Sequence, residues 1–285
     1  ISAAALADRY RAVREQTLAL IADLRAEDTV IQTMPDVSPT KWHLAHVTWF
    51  FEHFVLRPNV RNYSVFDDQF HYLFNSYYYT AGDMHARPRR GLLSRPTLSE
   101  VLDYRSHVDT AMQQLLQTDA SDSKLAQLVT LGLNHEQQHQ ELLLTDIKHV
   151  FANNPLRPRA SKSLQPQTIA NIATYSFAAG PSGVHEVGAT GDGFAFDNET
   201  PRHDCLLHPH RIGQRLVSNG EYRDFIRDGG YESADLWLSD GWATINERGW
   251  SRPLYWDENL ETEFTLGGDA AIDDNAPVPR QAVFW

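Results

Sequence analysis

The chain has 285 residues and a formal charge of -12, from 25 Lys+Arg against 37 Asp+Glu. This acidic balance argues against nucleic acid or an anionic membrane surface as a partner. With 42% hydrophobic and 22% charged residues, the chain is neither disordered nor fibrous and is long enough for about two cored domains.

The first element in chain order is a helix over residues 2–24, with Leu6, Tyr10, Val13, Leu18, Leu20 and Leu24 at helical spacing. Arg9, Arg11, Arg14, Asp8 and Glu15 interrupt its apolar positions, so it is amphipathic and not a signal peptide. A second helix starts at Ser38-Pro39, with Ser as N-cap and Pro at the first helical position. It runs through Trp42, His46, Trp49, Phe50 and His53 to a stop at Arg57-Pro58. An aromatic, irregular stretch covers residues 66–79, followed by the basic segment Arg87-Pro88-Arg89-Arg90. The third helix opens on a capping box, Thr97 with Glu100, and repeats Val101, Val108, Met112 and Leu115. The fourth runs from about Ser123 to Phe151 and stops at Asn153-Asn154-Pro155. Four amphipathic segments predict an antiparallel four-helix bundle over residues 1–155.

Residues 156–175 carry Pro158, Ser161, Ser163, Pro166 and Gln167 with weak periodicity and read as a linker. From residue 176 to 285, Gly, Pro and Trp are frequent and helical spacing persists only over 219–227. This region is expected to be a loop-rich α+β domain. Its lone cysteine, Cys205, follows Arg202-His203-Asp204 in a predicted strand. One cysteine excludes an internal disulfide and fits a reducing, cytoplasmic compartment. No run approaches the ~18 apolar residues of a membrane span.

Thirteen histidines are an unusual number for this composition. His135 and His139 stand at i and i+4, on one face of the fourth helix. They lie in line with Leu128, Val129, Gly132, Leu142, Leu143, Ile147 and Val150, so both imidazoles are expected to point into the core. Buried imidazoles need a metal or a full set of hydrogen bonds. On the second helix His46 sits centrally in the apolar stripe and His43 lies off it. His46 can therefore meet the pair across the bundle, and three histidines leave open positions on a first-row metal. A structural reading, with each histidine hydrogen-bonded in the core, competes with this. The spacing His135-Glu136-Gln137-Gln138-His139 also matches the zinc peptidase signature, with Glu136 as base. That reading needs a third ligand from beyond the helix and a substrate-binding strand; here the third candidate comes from upstream, in a helix, and no strand is evident nearby.

The segments 38–46 and 135–141 resemble those of the sulfoxide synthases of ergothioneine biosynthesis. The likeness continues through Gly193-Phe194-Ala195-Phe196-Asp197-Asn198-Glu199, Pro201-Arg202-His203, Ser218-Asn219-Gly220-Glu221-Tyr222 and Trp237-Leu238-Ser239-Asp240-Gly241-Trp242. Family members are nonhaem iron enzymes with a DinB-like bundle and a domain similar to formylglycine-generating enzyme. The resemblance implies Fe(II) as cofactor and O2 as cosubstrate. The reaction it implies joins a thiol sulfur to C2 of the hercynine imidazole, giving a sulfoxide. Its residue-by-residue reading makes His46, His135 and His139 the iron ligands, and Glu136 a structural group or one that orients a ligand. Gln138 would contact hercynine, and Tyr77 or Tyr78 would give a proton or hydrogen atom to oxygen. Arg87 and Arg90 suit the carboxylate of an amino-acid thiol, which is cysteine in the subgroup this chain resembles and γ-glutamylcysteine in others.

The family's second domain normally continues past a segment like Ala276-Pro277-Val278 through further substrate-binding motifs. Here residues 279–285 diverge from that pattern, and the chain reads as truncated. Two alternatives follow: a DinB-like metal-dependent thiol transferase, and an inactive remnant.

Overall fold

The computed structural model describes residues 3–76, 82–118, 123–164 and 168–278. They form two compact units, residues 1–162 and 163–285. The stretch expected to be a linker is held at both ends. The Lys162 N–H donates to Asp23 in the first unit, and the Ile169 N–H to Asp273 in the second.

In the first unit, α1 (Ala3–Leu20) buries Leu6, Tyr10 and Val13, but Leu18 is exposed. Arg14 and Thr17 are buried in place of the leucines expected there. The helix α2 (Thr40–Phe50) continues through a π-helical turn, Phe51–Leu56, into Arg57–Asn59. Ser38 does not cap it: its N–H donates to Asp146, and its hydroxyl accepts from Arg90. A short helix, α3 (Phe70–Phe74), follows. The capping box of α4 (Leu98–Thr118) forms as expected, the Thr97 N–H donating to Glu100 and the Glu100 N–H to Thr97 Oγ1. The 31-residue α5 (Ser123–Asn153) ends before Pro155.

Each of α1 and α2 packs against both α4 and α5, so α2 is covered on all sides. Every residue from Thr40 to Phe50 is buried, and its polar side chains must be satisfied internally. Lys41 Nζ donates to the carbonyls of Leu93, Ser94 and Pro96, tying the segment after Arg90 to α2. Thr48 Oγ1 donates to the Leu44 carbonyl.

Gly132 sits where α5 meets the start of the π turn. A Cβ there would lie 2.7 Å from the Phe51 ring and 2.8 Å from the Phe50 ring. Gly132→Ala is therefore expected to destabilise the unit by about 1–3 kcal/mol through overpacking. This would occur even though alanine is about 1 kcal/mol the better helix former. A urea midpoint equal to or above that of the parent chain would contradict the close approach.

Among the described residues, the second unit contains three two-stranded antiparallel sheets. Strands β1 (Phe177–Ala179) and β4 (Arg211–Gly213) pair, as do β2 (Gly183–Val187) and β3 (His203–Leu207). Helix α6 (Asn219–Arg227) matches the expected helical stretch and starts on a Ser218–Glu221 capping box. Helix α7 (Ser239–Arg248) was not expected, because Gly241 and Trp242 obscure its pattern. Its end is marked by Gly249 in the left-handed region. The sheet of β5 (Thr262–Thr265) and β6 (Gly268–Ala271) carries Phe264, which is buried with Ile245, Tyr255, Trp256 and Ile272. Among the described residues no helix is long and apolar enough to cross a membrane.

Candidate metal centre

Two positions on α5 and one on α2 converge inside the bundle. One nitrogen each of His46, His135 and His139 lies within 4.8 Å of the others. His46 Nε2 and His135 Nε2 are 3.2 Å apart. Two nitrogens bound at ~2.1 Å and a right angle to one ion would be separated by about 3 Å. The His46 Nδ1–H donates to the Phe74 carbonyl at 2.6 Å, which leaves its Nε2 lone pair toward the other rings. Among the described residues, His135 Nδ1 is buried without a hydrogen-bond partner.

All three rings are held in the neutral, ligating form. Burial pushes the His46 pKa well down, with His135 next in effect. Burial lowers His135 to about 4, and burial followed by His46 lowers His139. Three converging neutral imidazoles fit a first-row divalent ion.

A pH dependence follows. The folded His135 ionises near pH 4, against an ordinary value of 6.5. As pH falls, the unfolded chain takes up the proton first, so stability is full above about pH 6.5 and declines down to about 4. For this group alone the loss is about 3 kcal/mol. Urea midpoints of the metal-free protein at pH 7.5 and 4.5 should differ, and His135→Leu should narrow the gap. An unchanged gap would exclude His135 as its source.

The surroundings are aromatic. Trp42 stacks on His46 with ring centroids 4.6 Å apart, and Phe50 lies 5.1 Å from His135. Arg90 is buried, with its guanidinium 3.3 Å from the centroid of the Trp42 ring. It donates to Ser38 Oγ and Ser76 Oγ, both at 2.9 Å. Arg87 is farther out, half-buried and donating to the Asp36 carbonyl. Gln138 is exposed on α5. Tyr77 and Tyr78 lie outside the described residues. His53 is not in the centre; it stacks on His71 and Trp49.

Glu136 decides between the readings offered for it. Its fully buried carboxylate accepts from Arg14 at 3.0 Å, Thr17 at 2.6 Å and Arg105 at 2.5 Å. It serves the α1–α4–α5 junction, and no hydrogen bond to a histidine ring is seen among the described residues. It is therefore a structural group of the bundle and not a free peptidase base. The residue that does touch one of the three converging histidines is His43, at His139. All of α2 is buried, so no face lies off the core and His43 is as enclosed as His46. The available sequence signal was the scarcity of charge between residues 40 and 51, where only Lys41 is charged.

Residues 9–143 match the family model of the DinB superfamily, and residues 165–285 match that of the sulfatase-modifying factor enzyme 1-like domain. The chain is thus a DinB-like helical domain followed by a sulfatase-modifying-factor-like domain with small sheets. Over both domains it resembles the sulfoxide synthases of ergothioneine biosynthesis. It is 28% identical over 280 residues to a protein named hercynine oxygenase from Mycolicibacterium smegmatis, covering 98% of this chain and 63% of that one. A hercynine oxygenase from Mycolicibacterium thermoresistibile is 28% identical over 99% of this chain and 61% of its own length. A third, from Mycobacterium tuberculosis, is 27% identical over 98% and 64%. The chain therefore spans less than two thirds of the length of these relatives.

Proposed function

We propose that this chain is a cytoplasmic, Fe(II)- and O2-dependent oxygenase. In this reading it joins the sulfur of cysteine, or of γ-glutamylcysteine, to C2 of the hercynine imidazole and gives a sulfoxide. The observation that carries the proposal is the convergence of three neutral imidazoles, one buried and two partly buried, in a DinB-like bundle. The names of the relatives supply the substrate. In the overall balance, hercynine, thiol and O2 give sulfoxide and water. One C–H and one S–H bond are replaced by C–S, one oxygen atom goes to sulfur and the other leaves as water.

His46, His135 and His139 would hold the metal, which when bound supplies the site at which O2 is activated. Trp42 and Phe50 pack on the imidazole cluster, and burial keeps the three rings neutral. Arg90, with Arg87 farther out, offers guanidinium donors for the thiol's carboxylate, where a charge-assisted pair is strong because water is scarce. Gln138 would meet the hercynine side. Tyr77 or Tyr78 would deliver a proton to oxygen and so favour sulfoxide over simple thiol oxidation.

The test is anaerobic Fe(II) loading followed by hercynine, cysteine and O2. The expected product has one oxygen more and two hydrogens fewer than the two substrates combined. Tyr77→Phe or Tyr78→Phe should divert oxygen consumption toward disulfide. Turnover under argon would replace the proposal with a DinB-like thiol transferase. Absence of any hercynine-dependent oxygen uptake would leave the inactive-remnant reading.

A further inference from the structure

The ring of His139 is held from behind by a second histidine and a carboxylate. His43 Nδ1 lies 2.8 Å from His139 Nδ1, and His43 Nε2 lies 2.9 Å from Asp146 Oδ2. The same carboxylate oxygen accepts the Ser38 N–H at 2.8 Å. His43 and Asp146 are both buried. His139 and Asp146 share one face of α5, seven residues apart, and His43 reaches them from α2.

The hydrogen positions follow from elementary valence. An ionised carboxylate only accepts, so His43 Nε2 must carry a proton and donate it to Asp146. Neutral His43 then has a bare Nδ1, which can only accept. The proton between the two Nδ1 atoms therefore belongs to His139, and His139 Nε2 is left as a bare lone pair, the nitrogen open to a metal. The opposite arrangement would place an N–H of His139 among the other ligands and exclude a cation.

We propose that Asp146 and His43 are positioning residues that fix His139 as its Nδ1–H tautomer and aim its Nε2 at the metal. The proposal rests on the reading that His46, His135 and His139 bind a divalent metal. His46 is fixed in the same sense by the Phe74 carbonyl, so two of the three ligands are set before any ion arrives. Groups that orient a ligating imidazole in this way typically contribute 10–100-fold in metal affinity.

Two measurements test it on the 285-residue chain. Nitrogen NMR of the metal-free, histidine-labelled protein should show His139 as the Nδ1–H tautomer, and His43→Leu should move it toward Nε2–H. In competition with a chelator, Co(II) affinity should fall about 10–100-fold in His43→Leu. The fall should be smaller in Asp146→Asn, which keeps an acceptor oxygen but loses the charge. Should His43→Leu fail to fold, the Asn variant decides. An Nε2–H tautomer in the parent chain, or an unchanged tautomer and affinity in the variants, overturns the relay. If the tautomer responds while the parent chain binds no Co(II), the relay stands and the metal reading fails.

Discussion

Replacing His46, His135 or His139 with alanine is expected to lower Fe(II) or Co(II) affinity by more than ~100-fold, beyond the loss for a group that only orients a ligand. Oxygen consumption with hercynine and thiol should disappear with it. His46 is buried and His135 and His139 are partly buried, and the neighbouring histidines are engaged elsewhere. His53 is engaged with His71 and Trp49, and His43 is turned toward Asp146. The effect can be read without turnover. An ion at 100 times its Kd stabilises the native state by about 2.7 kcal/mol. For a unit of this size that raises Tm by roughly 5–10 °C. The parent chain should show this rise and the alanine variants should not. A rise that survives all three substitutions would place the ion elsewhere.

The largest loss of stability is expected from Glu136→Ala. This carboxylate lies between Arg14 and Arg105, which are themselves 3% and 2% exposed. Burial alone would raise its pKa, but Arg105, then Arg14 and the Thr17 hydroxyl outweigh that and hold it at about 2. Removing it leaves two guanidiniums enclosed, one of them still paired to Asp109 at 2.6 Å. Breaking a buried pair from one side costs about 3–5 kcal/mol, roughly 6–20 °C in Tm. Glu136→Gln should cost less, because Thr17 can still donate to it. The acid response has a definite sign. The folded pKa lies below the ordinary 4.5, so the stabilisation is complete above about pH 4.5 and is lost as pH falls toward 2. In Glu136→Gln that part of the acid loss should be absent. A Tm within 2 °C of the parent for Glu136→Ala would refute the network as a stability element.

Much of the centre was legible because helical geometry is periodic. Residues four apart must share a face, and the apolar neighbours of His135 and His139 show which face is inward. What was not legible depended on the neighbour across the packing. Leu18 was expected inside, yet Arg14 and Thr17 take the interior because Glu136 faces them from α5. Ser38 has the composition of an N-cap, but Asp146 and Arg90 compete for its N–H and hydroxyl. Gly132 gives no sequence signal of its own; its reason is the Phe50 and Phe51 rings against it.

The sequence by itself determined the order of the helices, the capping box at Thr97, the three converging histidines and the two-domain architecture. Each follows from local spacing or from motifs carried along one strand of chain. Only the tertiary structure decided that α2 is enclosed on every side, and that enclosure makes His43 a partner of His139. It also decided that Glu136 answers to two arginines and not to the metal. The physical reason is the same in both cases. A buried charge or imidazole takes its role from the group that satisfies it, and that group lies on another helix.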